Sequence, residues 1–140
     1  MAGYKHIERS IGAYIAGHYH DPVEIGIGRN FDAATVILAA GLPVRCTDIH
    51  PIAPLPGVTF LRDDVFAPDP AFYTGADVIY AVRPACEMIP PMIGLAARLG
   101  CDLLVYHLGF ESFGDGGEVI DCGVLLHRYH QGSGTAGKQG

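Results

Sequence analysis

The apolar residues fall into short runs set off by glycine, proline and acidic positions, and their spacing alternates between helical and extended. Ile7, Ile11, Tyr14 and Ile15 recur at i, i+4, i+7 and i+8, which predicts a helix over residues 4–17 that stops at Gly17 and the polar HYHDP. Residues 23–27 predict a strand feeding a glycine turn. Asn30 then offers a helix N-cap, residues 31–40 predict a helix, and Gly41 follows its end. Further strands are predicted at 44–47, 58–61, 77–82 and 103–107, the second of the five closing at Asp48.

Prolines punctuate what lies between. Pro51, Pro54 and Pro56 make 50–57 a loop, and Pro68 and Pro70 limit any helix there to a turn around 70–73. A helix over 87–99 accommodates Pro90 and Pro91 only in its first turn. After a loop at GFESFGDGG, the runs EVID and VLLHRYH predict a short antiparallel hairpin. Strands alternating with helices or connectors imply an α/β fold. The expectation is one Rossmann-like three-layer sandwich over residues 1–130, a mostly parallel sheet of about five strands plus the hairpin, and a flexible tail at 131–140.

Composition sharpens this. At 140 residues the chain has the size of one domain, and its 49% hydrophobic content suits a sheet covered on both faces. Fifteen acidic residues against nine Lys plus Arg give a net charge of −6, which argues against autonomous nucleic-acid binding. Cys46, Cys86, Cys101 and Cys122 lack C-x-x-C spacing and read as free thiols. MAGYKHIERS has no signal-like apolar core, and no run nears the ~18 apolar residues of a membrane span, so a cytoplasmic protein is expected.

Ligands of parallel sheets bind beyond the strands' carboxyl ends, where the strand order reverses. The segment EIGIGRNFD occupies such a place. Gly26 and Gly28 permit a tight turn and close approach of a ligand. Asp48, about 20 positions beyond Gly28, suits ribose hydroxyls, and Asp64 after the third strand can reach an adenine amino group. A dinucleotide loop would need glycine at 31, where this chain has Phe31. Glu24 and Asp32 also flank the turn with negative charge, which repels pyrophosphate and suits a cationic ligand such as S-adenosylmethionine. Asp32 can equally be a residue that compensates the helix dipole.

The order Glu24-x-Gly26-x-Gly28, then Asp48 and Asp64, resembles the Rossmann-like S-adenosylmethionine-dependent methyltransferases, with Asn30 where their loop has its last glycine. Up to about residue 130 the chain also looks like a small archaeal family of uncharacterised proteins with a shortened version of that fold. Ile79–Pro84 (IYAVRP) and Leu126–Tyr129 (LHRY) carry that likeness. The first resemblance implies that Gly26 and Gly28 line the methionine part, Asp48 the ribose and Asp64 the adenine end. The chain lacks an N-P-P-Y-like segment after the fourth strand and has only a short loop and hairpin after the fifth. Its acceptor pocket is therefore either shallow or completed by a protein partner.

Candidate chemistry beyond the cofactor loop is sparse. Arg83, projected from the fourth strand, can grip an anionic acceptor group or pair with Glu87 or a nearby acid. His107 and His50 sit at strand ends and can face the crevice, His107 as a general base. His18 and His20 with Asp21, and His127 with His130, lack a third ligand at recognised spacing, so no metal is expected. Arg128 with Tyr129 suggests either a base-stacking pair or an edge strand. The function expected is a methyltransferase-like domain that binds S-adenosylmethionine and acts on a small acceptor. The alternatives are a nucleoside-sensing or scaffold subunit and, more weakly, a nicotinamide-binding domain.

Overall fold

A computed structural model describes residues 3–133, with side chains from residue 6 onward. Most of the expected tail lies outside the described residues. Seven strands form one sheet in the order β3-β2-β1-β4-β5-β7-β6. They are β1 (Pro22–Ile25), β2 (Val44–Asp48), β3 (Val58–Arg62), β4 (Val78–Val82), β5 (Asp102–Tyr106), β6 (Glu118–Asp121) and β7 (Leu125–His130). The first five are parallel; β7 runs antiparallel to both β5 and β6.

The C-terminal hairpin is thus the continuation of the sheet. An edge position for Arg128 and Tyr129 is corrected: β7 lies inside, and β6 forms the edge. Arg128 bridges outward to Glu118 and inward to Asp102, whose carboxylate also accepts the Tyr19 hydroxyl at 2.5 Å.

Helices α1 (Gly3–His18) and α2 (Asp32–Ala39) cover one face, and α3 (Ile89–Leu99) with a 3-10 turn at Pro70–Tyr73 covers the other. Strand alternation sorts the core. Val78, Tyr80 and Leu104 join Ile11, Ile15 and Ile37 under α1 and α2. Ile79, Leu103 and Val105 join Met92 and Leu95 under α3. Pro90 and Pro91 sit at the start of α3, where missing N–H groups cost nothing, and a 3-10 turn at Cys86–Met88 precedes them.

Packing of α1 on α2 depends on Gly12. A Cβ there would lie 2.7 Å from the Ala33 carbonyl oxygen and 2.9 Å from the Val36 Cβ. Phe31, at the position of the absent third loop glycine, is half-buried against the same cluster. The close contact between the two helices is thus made by a glycine of α1.

Candidate functional site

β1 ends at Ile25, two residues before the expected limit, because the chain turns at once. The Gly26 and Ile27 amides both donate to the Thr47 carbonyl of β2, at 2.8 and 3.1 Å. Gly26 and Gly28 take φ of +71° and +59°, a region that favours glycine. Nothing lies within 4 Å of where a Gly28 Cβ would be, so that side of the loop is open.

Asp48 closes the turn from the neighbouring strand. Its Oδ2 accepts the Gly28 N–H at 2.8 Å and its Oδ1 the His50 N–H at 2.9 Å. Each oxygen keeps a lone pair for a ligand hydroxyl. Asp64 accepts the Phe66 N–H at 3.0 Å. Asp63, which has no motif to mark it in the sequence, accepts the Asp69 N–H at 3.1 Å and the Tyr73 hydroxyl at 3.3 Å.

A cavity of about 390 Å³ lies across these strand ends. Gly26, Asp48, Asp63 and Asp64 line it together with apolar side chains that include Ile49 and Phe66. Ile49 is 55% and Phe66 59% exposed, unusual for large apolar residues and consistent with walls for a flat apolar ligand group. Three carboxylates and no Lys or Arg line the cavity among the described residues. The signal for Ile49 and Phe66 was in the sequence, as apolar residues just past the strand-end acids.

Other sequence candidates stand elsewhere. Glu24 does not line the cavity. Val23 and Ile25 point under α3, so Glu24 points the other way, beneath α1, where it is 3% exposed and accepts the Tyr80 hydroxyl at 2.9 Å. Burial first, then the nearby Glu8, push its carboxyl up to about 8 against the opposing hydrogen bond from Tyr80. At neutral pH it is mostly protonated, so the negative charge expected beside the turn comes from Asp48, Asp63 and Asp64 instead. The expected cap is corrected: α2 begins one residue later than expected, so Phe31 is its N-cap and no side chain caps it, while exposed Asn30, one position earlier, accepts the Asp32 N–H through Oδ1 at 2.9 Å.

Arg83 is the one non-glycine residue with positive φ among the described residues, at 55°. Its guanidinium binds Glu8 of α1 at 2.6 Å, not Glu87, and lies 5.3 Å from the Tyr106 ring centroid. That ion pair holds α1 over the strand ends.

A second cavity, of about 500 Å³, opens between the start of α1, the end of β5 and the start of β7; its lining includes Ile7, His107, Glu111 and His127. His107 is 4% exposed, with Nε2 2.6 Å from the Tyr129 hydroxyl. Burial, then the neighbouring His127, lower its pKa, while Glu111 acts in the opposite sense. The histidine pairs singled out in the sequence do not form metal-ligand groups among the described residues. One group does: Cys86 from the segment after β4, and His107 and Glu111 from the segment after β5.

This strand order, with one antiparallel strand between β5 and the edge and a glycine turn facing a strand-end acid, defines a methyltransferase-like Rossmann fold. Solved structures agree on the fold. A methyltransferase from Streptomyces caelestis, CcbJ, superposes with a TM-score of 0.55 at 17% identity, over 70% of this chain and 47% of that enzyme. This chain therefore spans about half of its length. The S-adenosylmethionine-bound amino pentose methyltransferase CalS10 from Micromonospora echinaspora superposes with a TM-score of 0.54 at 18% identity, covering 85% of this chain and 61% of that one.

The chain belongs to the uncharacterised protein family UPF0146, whose model matches residues 10–115. A member from Halobacterium salinarum is 34% identical over 102 residues, 73% of this chain and 78% of the relative. A member from Pyrococcus horikoshii is 31% identical over 112 residues, covering 76% and 86%. The family is thus represented in archaea.

Proposed function

We propose that the cavity at the ends of β1, β2 and β3 binds S-adenosylmethionine and that the protein is a small methyltransferase-like domain acting in the cytoplasm. The observation that carries this reading is the lining of the 390 Å³ cavity: three carboxylates, no fixed cation, and exposed apolar walls. A pyrophosphate-bearing dinucleotide needs donors and positive charge, whereas a sulfonium with an ammonium group is favoured beside carboxylates. Asp48 would accept the ribose hydroxyls, Gly26 and Gly28 would let the loop approach the methionine part, and Asp64 would face the adenine edge between Ile49 and Phe66. Glu24, bonded to Tyr80 beneath α1, and Asn30, bonded to the Asp32 amide, are not assigned a cofactor contact.

When bound, S-adenosylmethionine supplies an activated methyl group, so the protein's task is to position an acceptor. The 500 Å³ cavity beside β5 and β7 is the place for a small acceptor, either alone or completed by a protein partner. There His107, whose pKa is lowered by burial, presents a neutral imidazole, which can serve as a base when no metal ion holds it. Arg83 is committed to Glu8 and has a structural role.

A second reading, a cofactor-sensing or accessory subunit, draws support from one fact: the solved methyltransferases CcbJ and CalS10 are longer than the region this chain covers. Calorimetric titration with S-adenosylmethionine, S-adenosylhomocysteine and NAD tests the cofactor. Saturable binding of the first two, lost in Asp48→Ala, is expected. No binding at millimolar ligand, or NAD binding instead, would refute it. Transfer of a labelled methyl group into archaeal extract then separates an enzyme from a sensor.

A further inference from the structure

We propose that Cys86, His107 and Glu111 form a binding site for a divalent transition-metal ion of the zinc type. The site is distinct from the cofactor cavity and does not depend on that cavity's ligand.

The topology assembles it. β4 and β5 are paired in parallel with Val82 opposite Tyr106, and the Arg83 amide extends the pairing by donating to the Tyr106 carbonyl at 2.7 Å. Both strands therefore end at one level. Cys86 opens the 3-10 turn just beyond β4, and His107 directly follows β5. A turn closed by the Glu111 N–H on the Leu108 carbonyl, at 3.2 Å, folds Glu111 back towards them. One potential ligand atom from each of the three lies within 4.8 Å of the others. Ligand atoms around a tetrahedral ion are about 3–4 Å apart, so closure by about 1 Å is needed. Exposed Glu111 and half-buried Cys86 have the freedom to supply it.

The imidazole is an independent pointer. His107 is 4% exposed, and its Nδ1 is buried with no hydrogen-bond partner among the described residues. Such an orphan is costly unless something binds it. Its other nitrogen is already held by Tyr129, whose oxygen also accepts the Phe113 N–H at 2.9 Å. An oxygen with two lone pairs can accept both N–H groups. With the proton on Nε2, Nδ1 presents a lone pair. This is the arrangement typical of metal-bound histidines, oriented by a bond on the far side of the ring.

The donor set selects the ion. Thiolate, imidazole and carboxylate together suit zinc or cobalt(II), while magnesium and calcium favour all-oxygen sites. Three protein ligands leave a fourth position, and two of them, His107 and Glu111, also line the acceptor-sized cavity.

Cobalt(II) titration of the metal-stripped protein tests this directly. The expected result is a one-equivalent thiolate-to-cobalt absorption band in the near-ultraviolet, bleached by zinc and absent in Cys86→Ala. Tyr129→Phe should weaken cobalt binding by roughly 10- to 100-fold through loss of the orienting bond. Cys86 is half-buried and its variant is expected to fold, which circular dichroism checks; His107→Ala is the harsher second variant. No thiolate band in the intact protein, or a band that survives Cys86→Ala, overturns the site.

Discussion

The Asp48 carboxylate accepts the Gly28 N–H through Oδ2 at 2.8 Å, so the acid at the end of β2 fastens the turn that follows β1. One residue both shapes the loop and faces the cavity. Asp48→Ala is therefore expected to act twice. Affinity for S-adenosylmethionine should fall by roughly 10- to 100-fold, and stability by about 1–3 kcal/mol from unpaired amides. Asp48→Asn, which keeps one acceptor oxygen, should retain more stability than affinity. Calorimetry and urea denaturation on the two variants separate the roles; equal affinity in all three proteins would refute the ribose assignment.

Glu24 makes stability depend on pH in an uncommon direction. Its carboxyl titrates near 8 in the folded chain against an ordinary value of 4.5, because it is buried. Between those values the folded state holds a proton that the unfolded state has lost. Stability contributed by the protonated acid is thus present in full below about 4.5, declines as pH rises, and is gone above about 8. The slope approaches about 1.4 kcal/mol per pH unit inside this window. Glu24→Gln, which mimics the protonated acid beside Tyr80, should flatten the profile and be more stable than the parent at pH ~9. Urea midpoints across the range decide it.

Arg83 and Glu8 form an ion pair whose acid is 97% shielded in its side chain (3% exposed) and whose base is 29% exposed. Removing the base alone strands a buried carboxylate. Arg83→Met should cost about 3 kcal/mol, and adding Glu8→Gln should restore most of it. A double-mutant cycle by chemical denaturation reads the coupling. Additive losses would mean that the pair does not hold α1 in place.

Two glycines in helices should respond oppositely to alanine. Gly12→Ala forces a Cβ against the Ala33 carbonyl oxygen of α2, and a loss of about 1–3 kcal/mol is expected. Gly94 is exposed within α3, with nothing within 4 Å of an added Cβ. Gly94→Ala should gain about 0.5–1 kcal/mol through helix propensity alone. Thermal midpoints of the two variants test whether α1–α2 contact, rather than propensity, governs Gly12.

Local spacing in the sequence determined the helix and strand periods, the parallel class of the sheet, the glycine turn and the two strand-end acids, because each is a short-range consequence of backbone geometry. Even the direction of Glu24 was implicit there, since Val23 and Ile25 on either side are apolar and a strand alternates. Tertiary structure alone decided what Glu24 meets. Tyr80 lies 56 positions away, and Arg83 reaches Glu8 across 75. It also decided that the C-terminal hairpin completes the sheet, that Gly12 lets α1 and α2 pack closely within one layer, and that Cys86, His107 and Glu111 converge. Neither the burial that shifts an acid nor the meeting of Cys86 with His107 and Glu111 has a periodic signature. Both arise only when separate strands end side by side and a helix closes over them.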